Sequence, residues 1–480
     1  MSKVKLFSGG EIPVEMHRAY TVQNIRLIPV KERLRALDEA GNCSYNLKSE
    51  DVFIDMLTDS GCNAMSDRQS AAFHEADFAY AGGASYYRLA AKIKELLGKD
   101  YFLPVHQGRA CEHMLAKSFV KPGDFVPTNF HFCTILTQVR LAGGTVVEML
   151  QDKGVSTLGE DGFKGDYDLE KLEKFLNETP SEKVPFLRIE AGTNLIGGQP
   201  ISMDNINAVS KLARAHGVRV LLDMSLAMDN IHFIRTRDEK RKNMTVREIT
   251  RELADAADII YFSGRKLGFA RGGGICMNDK ADFLKVRGNV TTFEGFPTFG
   301  GVSSAELEVM RVGLDDTMDP DVISQGPDFI EYMTEEFVKR GVPVVTPAGG
   351  LGCHLDADRF CAHLGRRDFR GAALAAAIYI VSGARGMERG LSSEMPEDSI
   401  APFELVRLAV PRRVYTLSHI MYVIDRVTWL YQHRELIGAL RWEDEAQGEY
   451  NKEHSFIDFL RPVGDWQEKL AEEYLKTGLE

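Results

Sequence analysis

Three residues stand where apolar segments run out, and their types could do chemistry together. Asn194 ends VPFLRIEAGTN (184–194), Asp223 closes VRVLLD (218–223), and Lys266 follows DIIYFSG (258–264). A carboxylate at the end of an apolar strand needs a compensating cation to stay ionised. A protonated ring nitrogen would serve, and the carboxylate would keep that ring electron-withdrawing; capping of a following helix is the alternative use of Asp223. An amine in a partly desolvated crevice has a lowered pKa, can form a Schiff base, and can carry a proton once released.

Two further stretches add to this set. In HQGRACEHMLAKSFV (106–120) an apolar strand end gives way to a glycine turn and a helical pattern. Gln107, Gly108 and the backbone around Arg109 would present N–H groups at a helix N-terminus, where dipole and hydrogen bonds hold a phosphate. Phe132, in NFHFCT, could stack on a ring. A phosphate turn, an acid for a ring nitrogen and a crevice lysine are what pyridoxal 5'-phosphate requires. Arg407 offers the substrate end: in FELVRLAV, alternation puts Leu405, Arg407 and Ala409 on one face. A guanidinium there fits a bidentate contact to an α-carboxylate, with an internal Glu partner as the alternative.

The elements that must position these residues are legible as alternation. DNINAVSKLARAHG (204–217) sets Ile206, Val209, Leu212 and Ala213 on one helical face, with Asp204 as the expected N-cap and Gly217 as the stop. Continuous apolar runs joined through helices predict a parallel α/β sheet buried on both faces, with ligands beyond the carboxyl ends of its strands. After MRVGLDDTMDP (310–320) the pattern changes to a smaller α+β domain. The expected division is an N-terminal arm with part of the small domain (1–60), a large cofactor-binding domain (61–320) and the remainder of the small domain with a polar tail (321–480).

Composition narrows the class. Fifty-eight Lys+Arg against 70 Asp+Glu give a net charge of −12, and no basic stripe or basic amphipathic helix is present, which disfavours nucleic acid and membrane surfaces as partners. No stretch reaches the roughly 18 apolar residues of a spanning helix, and MSKVKLFSGGEIPVEMHRAY lacks a signal-peptide core. Seven irregularly spaced cysteines point to reduced thiols in a cytoplasmic protein. His106, Cys111 and His113 have no second pair at metal-finger spacing, so no metal site is expected.

The chain resembles the β-eliminating lyase family, the tyrosine phenol-lyases and tryptophanases, from about residue 20 to about residue 440. LTDSGCNAMSD (57–67), AYAG (79–82), HQGR (106–109), NLIGGQPISM (194–203), SGRK (263–266), MERG (387–390) and VRLAVPRRVYT (406–416) carry the likeness. The resemblance implies pyridoxal-phosphate fold type I, with a mainly parallel seven-stranded sheet in the large domain. It also implies a homodimer or homotetramer with active sites at subunit interfaces. Residue by residue, it implies Lys266 as the Schiff-base lysine and Asp223 as partner of the pyridine nitrogen. Phe132 would stack on the ring, Asn194 would contact its phenolic oxygen, and Gln107, Gly108, Arg109 and Ser263 would bind the phosphate. Arg407 would bind the substrate carboxylate, Thr58 would touch the substrate, and Tyr80 would protonate the departing carbon. Arg389 in MERG sides with the tyrosine phenol-lyase branch, where it could hold a phenolic oxygen as charge develops; a surface salt bridge is the other reading of Arg389.

Some positions depart from the family pattern. The arginine expected three residues after the acid is Leu226, the threonine after the stacking ring is Cys133, and the histidine after the double glycine is Leu351. Phe78 and Arg271 replace an acid and an asparagine tied to a monovalent-cation site, so no potassium requirement carries over. The leaving group thus stays open, with carbon–sulfur lyase, β-replacement, tryptophanase or aminotransferase chemistry, or a non-catalytic binding role, as alternatives.

Overall fold

The computed structural model describes residues 2–391, 400–444 and 459–479. The chain divides into two compact units, one of Ser60–Val155 and Asp161–Ser324, the other of Ser2–Asp59, Ser156–Glu160 and Gln325–Glu480. The short segment Ser156–Glu160 lies in the second unit, where Thr157 donates to Asp356 at 2.6 Å.

The first unit is built on seven strands: β1 (Tyr101–Val105), β2 (Phe125–Thr128), β3 (Thr145–Glu148), β4 (Leu187–Glu190), β5 (Val220–Asp223), β6 (Ile259–Ser263) and β7 (Gly273–Met277). Their order is β1-β7-β6-β5-β4-β2-β3. Strands β2 to β6 run parallel, and only β7 is antiparallel to its neighbours β6 and β1. The helices that concern the site are α1 (Gly108–Phe119), α2 (Cys133–Leu141), α3 (Met203–Ala215), α4 (Ala227–Arg237), α5 (Val246–Asp255) and the single turn α6 (Gly264–Leu267).

Alternation along the strands feeds a core on each face of this sheet. Val220 and Leu222 join Ile206 and Val209 of α3 and Ile249 and Leu253 of α5. Leu221 points the other way, to Met114 and Leu115 of α1. The start of α3 differs from the expectation: Ser202, not Asp204, is the N-cap, its side chain accepting from the Asn205 N–H. Asp204 instead pairs with Arg241 at 2.9 Å, since an exposed acid in a helix's first turn does better beside a cation than replacing a hydroxyl cap already in place.

The second unit holds a three-stranded antiparallel sheet, β8 (Gly352–Asp356), β9 (Met387–Arg389) and β10 (Leu405–Ala409), ordered β8-β10-β9. Helix α7 (Arg370–Ser382) is buried from Gly371 through Ser382, and its alanines let neighbours approach closely. It packs with α8 (Leu417–Gln432) in one apolar core. A last helix, α9 (Trp466–Leu475), adds Leu470 and Tyr474 to that core; residues 445–458 of the polar tail lie outside the described residues.

Candidate active site

The carboxyl ends of β4, β5 and β6 gather the predicted residues of the first unit. Register pairs Glu190 with Asp223 and Asp223 with Tyr261, so their side chains share one face. Asp223 is buried. Its Oδ2 accepts from Arg188 Nη2 at 2.7 Å and from the Tyr261 hydroxyl at 2.8 Å, and its Oδ1 accepts from the Ser225 N–H at 2.9 Å. The compensating cation argued from sequence is therefore supplied within the protein by Arg188. Arg188 is fully buried and also donates to Glu190 at 3.0 Å, to Thr128 Oγ1 at 3.3 Å and to the Phe130 carbonyl at 3.2 Å. One guanidinium facing two carboxylates leaves this cluster with room for a second cation, which a protonated pyridine nitrogen would be.

Burial opposes the charge on Arg188, yet Tyr261, Glu190, Asp223 and Glu112 together hold its pKa well above the usual range. Burial likewise raises Glu190 against the pull of Arg188. It also pushes Glu112, whose Oε1 lies 3.1 Å from the Tyr261 hydroxyl, up to about 7.

The other predicted residues surround this cluster. Asn194 opens a short turn after β4, and its N–H donates to Glu190 Oε1 at 3.1 Å. Lys266 sits half-buried on α6, its Nζ 5.8 Å from the centre of the Phe132 ring, which precedes α2. Ser263 ends β6, and its N–H donates to Ser225 Oγ at 3.0 Å, so Ser225 links Asp223 to the end of β6. Gln107 is the N-cap of α1 without capping it through its side chain. A Cβ on Gly108 would come within 3.0 Å of Ser263 Cβ, so the turn closes on β6 only because glycine is there. The first N–H groups of a twelve-residue helix, a serine beside them, the exposed Arg109, and a lysine facing an aromatic ring fit pyridoxal phosphate.

Tyr80 lies apart from these contacts, largely exposed and packed on Phe296 and Phe299, with ring centres 6.2 and 5.4 Å away. Of the departures, Leu226 is buried as the residue before α4, and a Cβ on Gly192 would meet its Cβ at 3.0 Å. Phe78 and Arg271 are exposed, and the Arg271 N–H donates to Glu306 at 2.9 Å. Among the described residues no cluster of three metal-ligating side chains occurs.

Thr58, Arg389 and Arg407 belong to the second unit. Arg407 is buried on β10 between His354 of β8 and Met387 of β9. It donates to the Leu57 carbonyl, next to Thr58, at 2.9 Å, and its Nη2 lies 2.8 Å from Met387 Sδ. Arg389 is no surface ion-pair residue: it is 2% exposed, donates to the Ala401 carbonyl at 2.8 Å and to that of Phe403, and lies over the Phe403 ring. The β9 strand turns it into the domain, which the four letters MERG do not reveal.

A family profile described as beta-eliminating lyase matches residues 55–426. The chain belongs to the beta-eliminating lyase family. It is 40% identical over 419 residues to a tyrosine phenol-lyase of Lacrimispora saccharolytica, covering 86% of this chain and 90% of that one. A tyrosine phenol-lyase of Symbiobacterium sp. is 38% identical (89% and 94% covered), and one of Fusobacterium nucleatum 36% (91% and 96%). Solved structures share the fold at low identity. A Sphingomonas wittichii serine palmitoyltransferase aligns with TM-score 0.57 and 13% identity, over 80% of this chain and 88% of that one. A Thermotoga maritima aspartate aminotransferase aligns with TM-score 0.58 and 15% identity, over 84% and 97%. The fold is pyridoxal-phosphate fold type I, and this β-eliminating lyase is a pyridoxal-phosphate enzyme acting on an amino acid.

Arg188, Glu190, Tyr261, Glu112 and Ser225 escaped the sequence reading. One signal was available: Arg188 and Glu190 are two ionisable residues at alternate positions of an otherwise apolar strand, a pattern that demands buried partners.

Proposed function

We propose that the protein cleaves L-tyrosine, with water, to phenol, pyruvate and ammonia. The observation that carries this reading is the match, over 86–91% of the chain, to relatives named tyrosine phenol-lyase. Arg389 of MERG supports it, because a guanidinium there could hold an oxygen on which charge develops.

Pyridoxal phosphate, when bound, supplies an electron sink for the carbanion formed at the substrate's α-carbon. Asp223 would hold the ring nitrogen's proton, Asn194 would meet the phenolic oxygen and Phe132 would pack on the ring. Gln107, Gly108, Arg109 and Ser263 would hold the phosphate. Arg407 grips the α-carboxylate through a two-pronged, charge-assisted contact, and Thr58 lies beside the substrate. Lys266 would carry the cofactor on its amine and take the proton from the substrate's α-carbon. Tyr80 then donates its phenolic proton to the ring carbon that leaves. The exposed aromatic patch of Phe78, Tyr80 and Phe296 supports a homodimer or homotetramer in which a second copy shields this acid.

Cys133 and Leu226 favour a second reading, in which another β-substituted amino acid is the physiological substrate. Pyruvate release from purified holoenzyme, assayed with tyrosine, tryptophan and S-alkyl cysteines, separates the two. Tyrosine should give the highest kcat/KM, and a cysteine conjugate preferred over an inert tyrosine would reject the first reading.

A further inference from the structure

We propose that Arg188 is a positioning residue that braces the Asp223 carboxylate and, through Glu190, the backbone of Asn194, so that a single guanidinium supports two of the residues assigned to the cofactor ring. The inference rests on the cofactor site described above and adds a layer beneath it.

Geometry carries the proposal. The Arg188 side chain spans the strand ends, with Nη2 on Asp223 Oδ2 at 2.7 Å, Nη1 on Glu190 Oε2 at 3.0 Å and Nε on the Tyr261 hydroxyl at 2.9 Å. All three nitrogens of the planar fork donate, which a point-like ammonium could not reproduce. Glu190 passes the constraint on, since its other oxygen, Oε1, accepts from the Asn194 N–H at 3.1 Å. The Tyr261 hydroxyl, oriented by Arg188 Nε, gives Asp223 Oδ2 its second partner at 2.8 Å.

The pairing also explains why Arg188 tolerates complete burial. Its positive charge is met by Asp223 and Glu190, and the second Nη1 hydrogen lies between Thr128 Oγ1 and the Phe130 carbonyl. Phe130 stands two residues before Phe132, so the same guanidinium ties down the start of the segment that carries the stacking ring. The two oxygens of Asp223 are thereby fixed by three donors, Arg188, Tyr261 and Ser225, leaving its outward lone pairs for the ring nitrogen.

The test compares wild type with Arg188→Lys and with Arg188→Met/Glu190→Gln, the latter removing one charge of each sign. Three quantities are read: the cofactor's dissociation constant, the 15N chemical shift of pyridoxal phosphate labelled at its ring nitrogen, and the apoprotein's Tm. Both variants should bind the cofactor at least about tenfold more weakly, as loss of a charged hydrogen bond implies. Their ring-nitrogen resonance should move toward the unprotonated value, whatever happens to Tm. A Tm change with wild-type affinity and an unmoved 15N resonance in Arg188→Lys would overturn the proposal and leave Arg188 a purely structural residue. If the double variant does not fold, Arg188→Lys decides by the same readings. Wild-type protein that fails to take up the cofactor or release pyruvate would instead overturn the cofactor reading itself.

Discussion

At the strand ends of the first unit a guanidinium is enclosed by carboxylates, whereas the small sheet of the second unit puts two guanidiniums on one face with an imidazole. Arg188 meets Asp223 and Glu190 at 2.7 and 3.0 Å. Arg407 and Arg389 instead share their face with His354, whose pKa falls to about 3, through burial first and then through the two arginines. The first arrangement fixes Asp223 between three donors, which in the site proposed above would hold it against the cofactor ring. The second sets two guanidiniums beside an imidazole, which in the proposed site would meet a substrate's carboxylate.

Five variants would break or sharpen that contrast. Lys266→Ala should lower kcat for pyruvate release by about 10³-fold or more, since no other amine replaces nucleophile and base together. The two regions should then separate in kinetics. Arg407→Met should lose about 10²-fold in kcat/KM, chiefly by raising KM, because charged hydrogen bonds contribute about 1.5–3 kcal/mol each. Asp223→Asn should act mainly on kcat; equal KM-type losses in both variants would erase the distinction.

A smaller effect concerns acid stability. Unfolded chain protonates His354 below about 6.5, but the folded protein resists down to about 3. The unfolded state binds the extra proton, so stability falls as pH drops through this window, by up to about 1.4 kcal/mol per pH unit. His354→Gln should flatten that part of the Tm against pH curve, and an unchanged slope would show that His354 is not its source.

Glu112 should give the smallest change, of opposite sign. Its carboxyl is raised from 4.5 to about 7, so the folded state holds a proton that the unfolded chain has lost. The stability it contributes is complete below about 4.5 and fades as pH rises toward 7. Glu112→Gln, which keeps a neutral polar group beside Tyr261, should remove this decline in Tm across that range.

Much of the first unit was legible in the sequence. Strand ends at Asp223 and Ser263, the turn at Gln107–Gly108 and the lysine of SGRK all follow from apolar runs punctuated by glycine and polar residues. The support beneath them was not. Glu112 of α1 and Tyr261 of β6 are 149 residues apart in the chain and meet only because α1 packs on the sheet. Arg389 shows the same limit in the second unit, since its partners Ala401 and Phe403 come from a different segment.

The sequence by itself determined the set of reactive groups, the alternating α/β pattern and the family, because local periodicity and short motifs are properties of neighbouring residues. Tertiary structure alone decided which charges face each other. It placed Arg188 under Asp223 and His354 beside Arg407, because strand register joins residues that chain order keeps far apart, and buried charge is settled by neighbours in space.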